Sequence, residues 1–258
     1  MDYALSAIVF TFSLFLGMLL FWEVGRRIGA RHIAKEAEGA PAGVGAVEGA
    51  VFGLLGLLVA FTFSGAAARF DTRRQLIVEE ANDIGTAYLR IDLIPTDAQP
   101  ALRESFRRYV EARLEVYRKL PDMAAAKEQL LKATQLQGDI WRQAVTACQA
   151  APTPQATMLL LPALNAMIDI TTTRTMATQM HPPSIVFVML FGLALAGALL
   201  AGYDMAGAKS RSWIYVIGFA ATVAIAVYVI LDMEYPRLGL IRVDAFDQVL
   251  VDLRESMK

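Results

Sequence analysis

The sequence encodes an all-α membrane protein, four transmembrane helices with a helical-bundle insert between the second and third spans, and three observations carry that expectation. Hydrophobic residues make up 56% of the 258-residue chain and charged residues only 19%, which is too apolar for an ordinary soluble domain. Four apolar runs approach the roughly 20 residues that a helix needs to cross a hydrocarbon core. No stretch alternates apolar and polar residues with period two, so strands are not expected.

The first span is Ala4–Trp22, followed by Glu23 and the basic run Arg26, Arg27, Arg31 and Lys35. A secretory signal peptide would carry its positive charges ahead of the apolar run, and only Met1, Asp2 and Tyr3 stand there, so the span is expected to be retained. The following linker EAEGAPAGVGAVEG is rich in glycine. It is expected to close a hairpin that lays the first span against the second.

The stretch Val47–Pro95 organises the chain. An apolar run of about 19 residues, Ala50–Ala68, is long enough to cross a membrane, and it passes straight into Arg69, Asp71, Arg73, Arg74, Glu79, Glu80 and Asp83 with no helix breaker. Leu76, Ile84, Tyr88 and Ile91 keep a helical apolar stripe beyond the junction. One continuous helix is expected, half in lipid and half in water.

The insert continues with three more helical segments. Asp97–Leu120 sets Leu102, Phe106, Tyr109, Val110, Leu114 and Tyr117 on one face. Asp122 is placed to cap the next helix, in which Leu130, Thr134, Ile140, Trp141, Ala144 and Cys148 keep the spacing up to Pro152 and Pro154. Gln155–Met180 carries Leu159, Leu160, Leu164, Met167 and Ile168 and then a polar tail. His181, Pro182 and Pro183 end it, because consecutive prolines remove amide donors and clash with the preceding turn. The third span, Ser184–Tyr203, and the fourth, Trp213–Leu231, are joined by MAGAKSRS, with Tyr203, Trp213 and Tyr215 at one membrane interface. The division expected is residues 1–68 for the first two spans, 69–183 for the insert, 184–231 for the last two spans, and 232–258 for a polar tail with a short amphipathic helix.

Composition excludes several classes of function. A net charge of -1 offers no electrostatic footprint for nucleic acid. Cys148 is the only cysteine, the two histidines are not clustered with it, and no metal-ligand spacing, cofactor motif or catalytic constellation stands out, so no enzyme is expected. Cys148 itself, among Val145, Ala147 and Ala151, is expected to be a small buried hydrophobe.

The residues that can carry function lie on the second span and at the membrane edge. Phe52, Val59 and Phe63 recur at roughly helical spacing and are candidates for an apolar constriction, with Thr62 as a pore-facing hydroxyl. Thr62 and Ser64 can equally bond the carbonyl one turn back. Gly49 with Gly53, and Ala194 with Ala198 and Gly202, are small-residue pairs that permit close helix approach. The run Thr171, Thr172, Thr173, Thr175 and Thr178 fits either a hydrophilic vestibule or a frayed helix end. Whichever way the chain is oriented, the parity of four spans gathers Arg69, Asp71, Arg73 and Arg74 with Arg174, His181, Asp232, Glu234, Arg237 and Arg242. In this charged collar Asp232 or Glu234 is expected to pair with Arg69 or Arg73.

The four-span plan, together with RFDTRRQLIVEEANDIGTAYLR, LPALNAMIDITTTR before HPP, and DMEYPRLGLIRV, resembles the bestrophin-like family of bacterial multi-span membrane proteins. The resemblance covers most of the chain from Val47 to Val243. Asn165, Asp169 and Arg174 match the family's insert motif, and Asp169 and Arg174, five residues apart, are badly placed to pair with each other. More distantly, Ala66–Phe70 is similar to the AYDRW-type segment after the second span of true bestrophins. That likeness implies a pentameric ion channel whose second-span helices line an apolar neck. The acidic calcium-binding cluster of animal bestrophins has no counterpart in this sequence.

Orientation is contested within the sequence. Arg26, Arg27, Arg31, Lys35, Lys209 and Arg211 lie on one side, and Arg69, Arg73, Arg74, Arg174, Arg237 and Arg242 on the other. The first span, which usually dominates, puts the insert outside the cytoplasm, whereas bestrophins keep theirs inside. The functional expectation is a homo-oligomeric channel or pore in a bacterial cytoplasmic membrane, touching lipid and passing an inorganic ion. The alternative is a non-conducting sensor or scaffold whose insert binds a ligand or protein.

Overall fold

The computed structural model describes residues 3–35, 44–208 and 213–257, and those residues form helices and connecting turns with no strand. The helices are α1 (Tyr3–Ile33), α2 (Val44–Leu89), α3 (Gln99–Arg118), α4 (Met123–Ala150), α5 (Gln155–Gln179), α6 (Ser184–Asp204), α7 (Trp213–Glu234) and α8 (Gln248–Ser256), with short 3-10 turns between some of them. Four helical stretches are long and apolar enough to cross a membrane. α2 is unbroken through the Ala68–Arg69 junction and ends in a 3-10 turn over Arg90–Leu93, because no proline or glycine pair interrupts it before Pro95. The hairpin expected between the first two spans falls largely outside the described residues, as do Lys209 and Arg211.

Two compact units divide the chain. The first comprises Met1–Ala68 and His181–Tyr235. Within it α1 packs along α6 and, over a shorter length, α7. Leu14, Met18 and Trp22 of α1 also share one apolar cluster with Leu55 of α2. Glycines decide the pairing: a Cβ on Gly25 would stand 1.9 Å from the Leu199 carbonyl oxygen, and one on Gly202 would stand 2.0 Å from that of Trp22. Only bare backbones fit at those crossings, and in lipid such dispersion contacts, not hydrophobic exclusion, hold helices together. α1 also extends past its apolar span to Ile33, its basic end supported by Glu23 pairing with Arg26 and Arg27 one turn on.

The second unit comprises Arg69–Met180 and Pro236–Lys258. Its core is built from Ile84 of α2, Ile91 of the 3-10 turn that follows it, Phe106, Tyr109 and Val110 of α3, Ala133, Ile140 and Ala144 of α4, Leu160, Leu164 and Met167 of α5, and Leu250 of α8. Asp122 caps α4 as its chemistry demands, its Oδ1 accepting from the amides of Ala124 and Ala125 at 3.0 Å each. Thr134 is exposed and bonds Leu130 O, so the buried stripe of α4 runs through Ala133, Leu136 and Gln137 instead. Cys148 is buried. The threonine run is ordered helix up to Gln179, with Thr173, Thr175 and Thr178 each bonding a carbonyl three or four residues back.

Candidate pore helix and charged clusters

Along its apolar half α2 turns one stripe toward its own unit. Leu55, Thr62 and Ala66 are buried, and Phe52 and Val59 are half-buried beside them. The Phe52 ring meets Phe219 edge-on at 5.2 Å between centroids and lies against Gly197. The Thr62 hydroxyl donates to Leu58 O at 2.6 Å, which occupies its one donor on its own helix. Of the four pore candidates, Phe63 alone is exposed, at 45%.

Helical spacing sets Gly49, Gly53, Gly56, Ala60 and Phe63 on one side of α2, and this side is exposed among the described residues. A Cβ built on Gly49, Gly53 or Gly56 would meet nothing within 4 Å. The second small-residue motif behaves in the opposite way, because Ala194, Ala198 and Gly202 are buried inside the unit.

Three groups of charged residues stand out within the units. At the lower end of the first unit Asp232 and Glu234 are buried. His181 Nδ1 lies 3.2 Å from Glu234 Oε2, and its ring stacks on Tyr235 at 4.4 Å. Tyr3 closes this cluster, against Tyr235 at 4.2 Å and donating to Leu231 O at 2.8 Å.

In the second unit Arg73 serves the open end of α5. Its Nε donates to Ala177 O at 3.0 Å and its Nη2 to Met180 O at 2.9 Å, satisfying carbonyls that the helix leaves without amide partners and complementing its dipole. Arg74 pairs with Asp71 on the surface at 2.9 Å and lies over the Phe246 ring at 4.2 Å. Arg242 pairs with Asp244 at 2.5 Å. Arg237 makes a bidentate pair with Asp247 at 2.7 and 2.8 Å, reaches Asp244 at 3.1 Å and covers the Tyr117 ring at 4.1 Å.

The third cluster lies deepest. Glu80 is 0% exposed and accepts from Arg113 Nε at 2.6 Å, from Arg113 Nη2 at 3.2 Å and from Arg174 Nη1. Arg113 also donates to Tyr117 Oη at 2.8 Å, and Arg174 lies over the Tyr117 ring at 4.5 Å. Burial pushes the Glu80 carboxyl up, but the two guanidiniums outweigh it and hold the group down to about 2. Next to it, Tyr109, Gln137 and Thr171 share hydrogen bonds of 2.9–3.2 Å, and burial raises the Tyr109 phenol to about 12. Thus Arg174 finds its partner in Glu80, while Asn165 and Asp169 are exposed.

Sequence reasoning did not single out Glu80 or Arg113. A signal was present, since each stands at helical spacing inside an apolar stripe: Glu80 between Leu76 and Ile84, Arg113 between Tyr109 or Val110 and Tyr117. Opposite charges on two buried stripes require each other.

A family model for the bestrophin-like domain matches residues 10–245, most of the chain. The chain belongs to the bestrophin-like family. Two solved structures resemble it closely in fold, both of a bacterial bestrophin homologue from Klebsiella pneumoniae. A tyrosine-to-alanine variant superposes with a TM-score of 0.64 at 12% identity, covering 94% of this chain and 98% of that one. A tryptophan-to-alanine variant gives 0.62 at 13% identity, with 99% of each chain covered. A search of curated proteins returns no match. Among bestrophin-like chains this one therefore shares the fold of the solved homologues while differing at most positions, so its own residues must carry any functional argument.

Proposed function

We propose that the protein is a homo-oligomeric ion channel of a bacterial cytoplasmic membrane, with the uncovered side of α2 facing its symmetry mates. One observation carries this: glycines that meet backbone or side chains of their own chain close the α1–α6 crossing, whereas Gly49, Gly53 and Gly56 present the same small-residue surface to nothing within 4 Å among the described residues. A second copy of α2 fits such a surface. The family relation supports the same assembly, since the resemblance to bestrophin channels implies a pentamer with an apolar neck. Phe63 is then the residue best placed at the constriction, with Phe52 and Val59 at its border and Thr62 turned away. Arg69, Asp71, Arg73 and Arg74, which follow the span directly in sequence, supply charge beyond its end. An apolar neck conducts without ionisable groups in the spans because hydrophobic constrictions can gate by dewetting. By the charges flanking the first span, the insert is extracytoplasmic.

The test is mass measurement in detergent followed by ion flux in reconstituted liposomes. A ring-sized oligomer, with flux that rises when Phe63→Ala widens the constriction, supports the channel. A monomer, or an oligomer silent in both forms across ions and pH, refutes it and leaves the scaffold.

A further inference from the structure

α1 does not end where its apolar span ends. It continues to Ile33, and bonds from Ala34 N to Ala30 O and from Lys35 N to His32 O carry the winding a step further. Leu20, Val24, Ile28, Arg31 and Lys35 follow one another at intervals of three or four residues, which sets them on one face of the helix. Trp22, Gly25 and Gly29, which are buried, occupy another. Leu20, Val24 and Ile28 are 61%, 40% and 48% exposed, and Arg31 and Lys35 are exposed as well. An uncovered apolar stripe thus runs directly into two cations.

The charges at this end of α1 are not equivalent. Glu23 takes Arg26 at 3.2 Å and Arg27 at 2.8 Å, whereas Arg31 and Lys35 pair with no acid among the described residues. A cation near a helix C-terminus complements the macrodipole, but that does not account for the bare apolar stripe leading to it. Two measures set the depth. From Tyr3 to Arg31 a helix near the bilayer normal rises about 42 Å at 1.5 Å per residue, close to the thickness of a bilayer with both headgroup layers. A Cβ on Gly29 would stand 2.6 Å from Tyr203 O, and Trp22 packs on Trp213 at 5.6 Å, so this end of α1 is level with aromatic residues of the kind that mark a bilayer interface. Leu20, Val24 and Ile28 therefore lie at the depth of acyl chains, and Arg31 and Lys35 at that of lipid phosphates.

We infer that this stripe binds one acidic glycerophospholipid, its phosphodiester between Arg31 and Lys35 and an acyl chain along Ile28, Val24 and Leu20. A guanidinium offers paired donors to a phosphate, and an ammonium adds a compact charge beside it. Zwitterionic lipids carry their own ammonium next to the phosphate, so two unpaired cations favour a headgroup with net negative charge. The site rests on the first unit lying in a bilayer, and neither conduction nor oligomeric state enters it.

In the experiment the full chain is released from detergent micelles holding equal amounts of phosphatidylglycerol and phosphatidylcholine, and the last lipid retained on each subunit is identified by native mass spectrometry. Phosphatidylglycerol is expected to be preferred about 25-fold, with Arg31→Gln and Lys35→Gln each lowering the preference about 5-fold, the effect of one cation near an anionic lipid. Both changes fall on exposed side chains and should leave folding intact. Arg27→Gln removes the same charge one turn earlier, from a guanidinium already held by Glu23, and should leave the preference unchanged. Retention by a monomer supports the inference as fully as retention by a ring, whatever becomes of the channel. Equal losses in Arg27→Gln and Arg31→Gln would overturn it in favour of diffuse attraction by the whole basic end. Displacement of the lipid by excess inorganic phosphate would overturn it in favour of a soluble-anion site. A preference unchanged in both Arg31→Gln and Lys35→Gln would overturn it too, leaving two solvated charges.

Discussion

Replacing Glu80 with glutamine is the most informative single change to the insert. Glutamine keeps the shape and two polar atoms but removes the one carboxylate that faces both Arg113 and Arg174, of which Arg113 is 1% and Arg174 6% exposed. Breaking a buried pair by removing one partner costs about 3–5 kcal/mol, because the surviving charge stays desolvated, and here two charges survive. Thermal unfolding in detergent, followed by intrinsic fluorescence, should shift down by roughly 6–20 °C for a chain of this size. Arg174→Met removes one guanidinium and leaves Glu80 paired with Arg113 at 2.6 Å, so its cost should fall below about 3 kcal/mol. Substituting Glu80, Arg113 and Arg174 together by methionine should leave stability near the parent or raise it by about 1–4 kcal/mol, as replacement of whole buried ion clusters by apolar side chains does.

The same carboxylate sets an acid limit. Its ordinary value of 4.5 falls to about 2 in the folded protein, so above about pH 4.5 the native state gains the whole stabilisation, on the order of 3 kcal/mol for a fully buried group. That contribution fades as pH falls from about 4.5 to about 2, and below both values it is gone. In Glu80→Gln this segment of the stability–pH curve should be flat. Two results would refute the reasoning: a glutamine variant that melts with the parent, or an Arg174→Met variant that melts below Glu80→Gln.

Two further expectations concern helix packing and capping. Gly202→Ala and Gly25→Ala place a methyl group 2.0 and 1.9 Å from a carbonyl oxygen and should abolish recovery of folded protein from membranes, whereas Gly53→Ala, which meets nothing within 4 Å among the described residues, should leave recovery intact and change only the oligomer distribution in detergent. Asp122→Ala removes the acceptor for two amides at the start of α4 and should cost about 0.5–2 kcal/mol, with Asp122→Asn restoring most of it in the same melting assay.

What the sequence revealed follows from how local each cause is. Helix ends were legible because their causes sit at the ends themselves: Asp122 ahead of α4, Pro152 and Pro154 after it, Pro182 and Pro183 ahead of α6. The passage of α2 from lipid to water was legible for the same reason, since Ala50–Ala68 and the charges after it are contiguous. Partner choice was not. Gly25 and Gly202 lie far apart in the chain, and a small-residue motif states that some helix approaches closely without stating which one. α1 has its own glycines at Gly17, Gly25 and Gly29, and their register with Leu195, Leu199 and Tyr203 emerges only when two complete surfaces are compared. Glu80 and Arg113 were hidden differently: a charge within an apolar stripe reads as a boundary of the stripe until the opposite charge is found on a second helix. Arg73, which the sequence places in the collar, also donates to the carbonyls at the end of α5, a role that no local pattern in the sequence signals.

The two halves of α2 also show why one helix obeys two packing rules. Past Arg69 it stands in a unit where apolar surface is driven out of water, so Ile84 and Ala87 are fully buried and a charge can enter only with its counter-charges, as Glu80 does. Before Arg69 that drive is missing, because lipid tails solvate Leu54, Leu57 and Phe61 as well as any protein surface would. Exposure of those large side chains, between 49% and 68%, is therefore uninformative about partners. Exposure of glycine is informative. In lipid a glycine contributes only by letting another backbone come close, and otherwise it weakens its helix by about 1 kcal/mol relative to alanine. Gly25, Gly29 and Gly202 offset that cost inside the chain. Gly49, Gly53 and Gly56 meet nothing within 4 Å among the described residues, and in the proposed assembly the α2 of a second copy would offset the cost there.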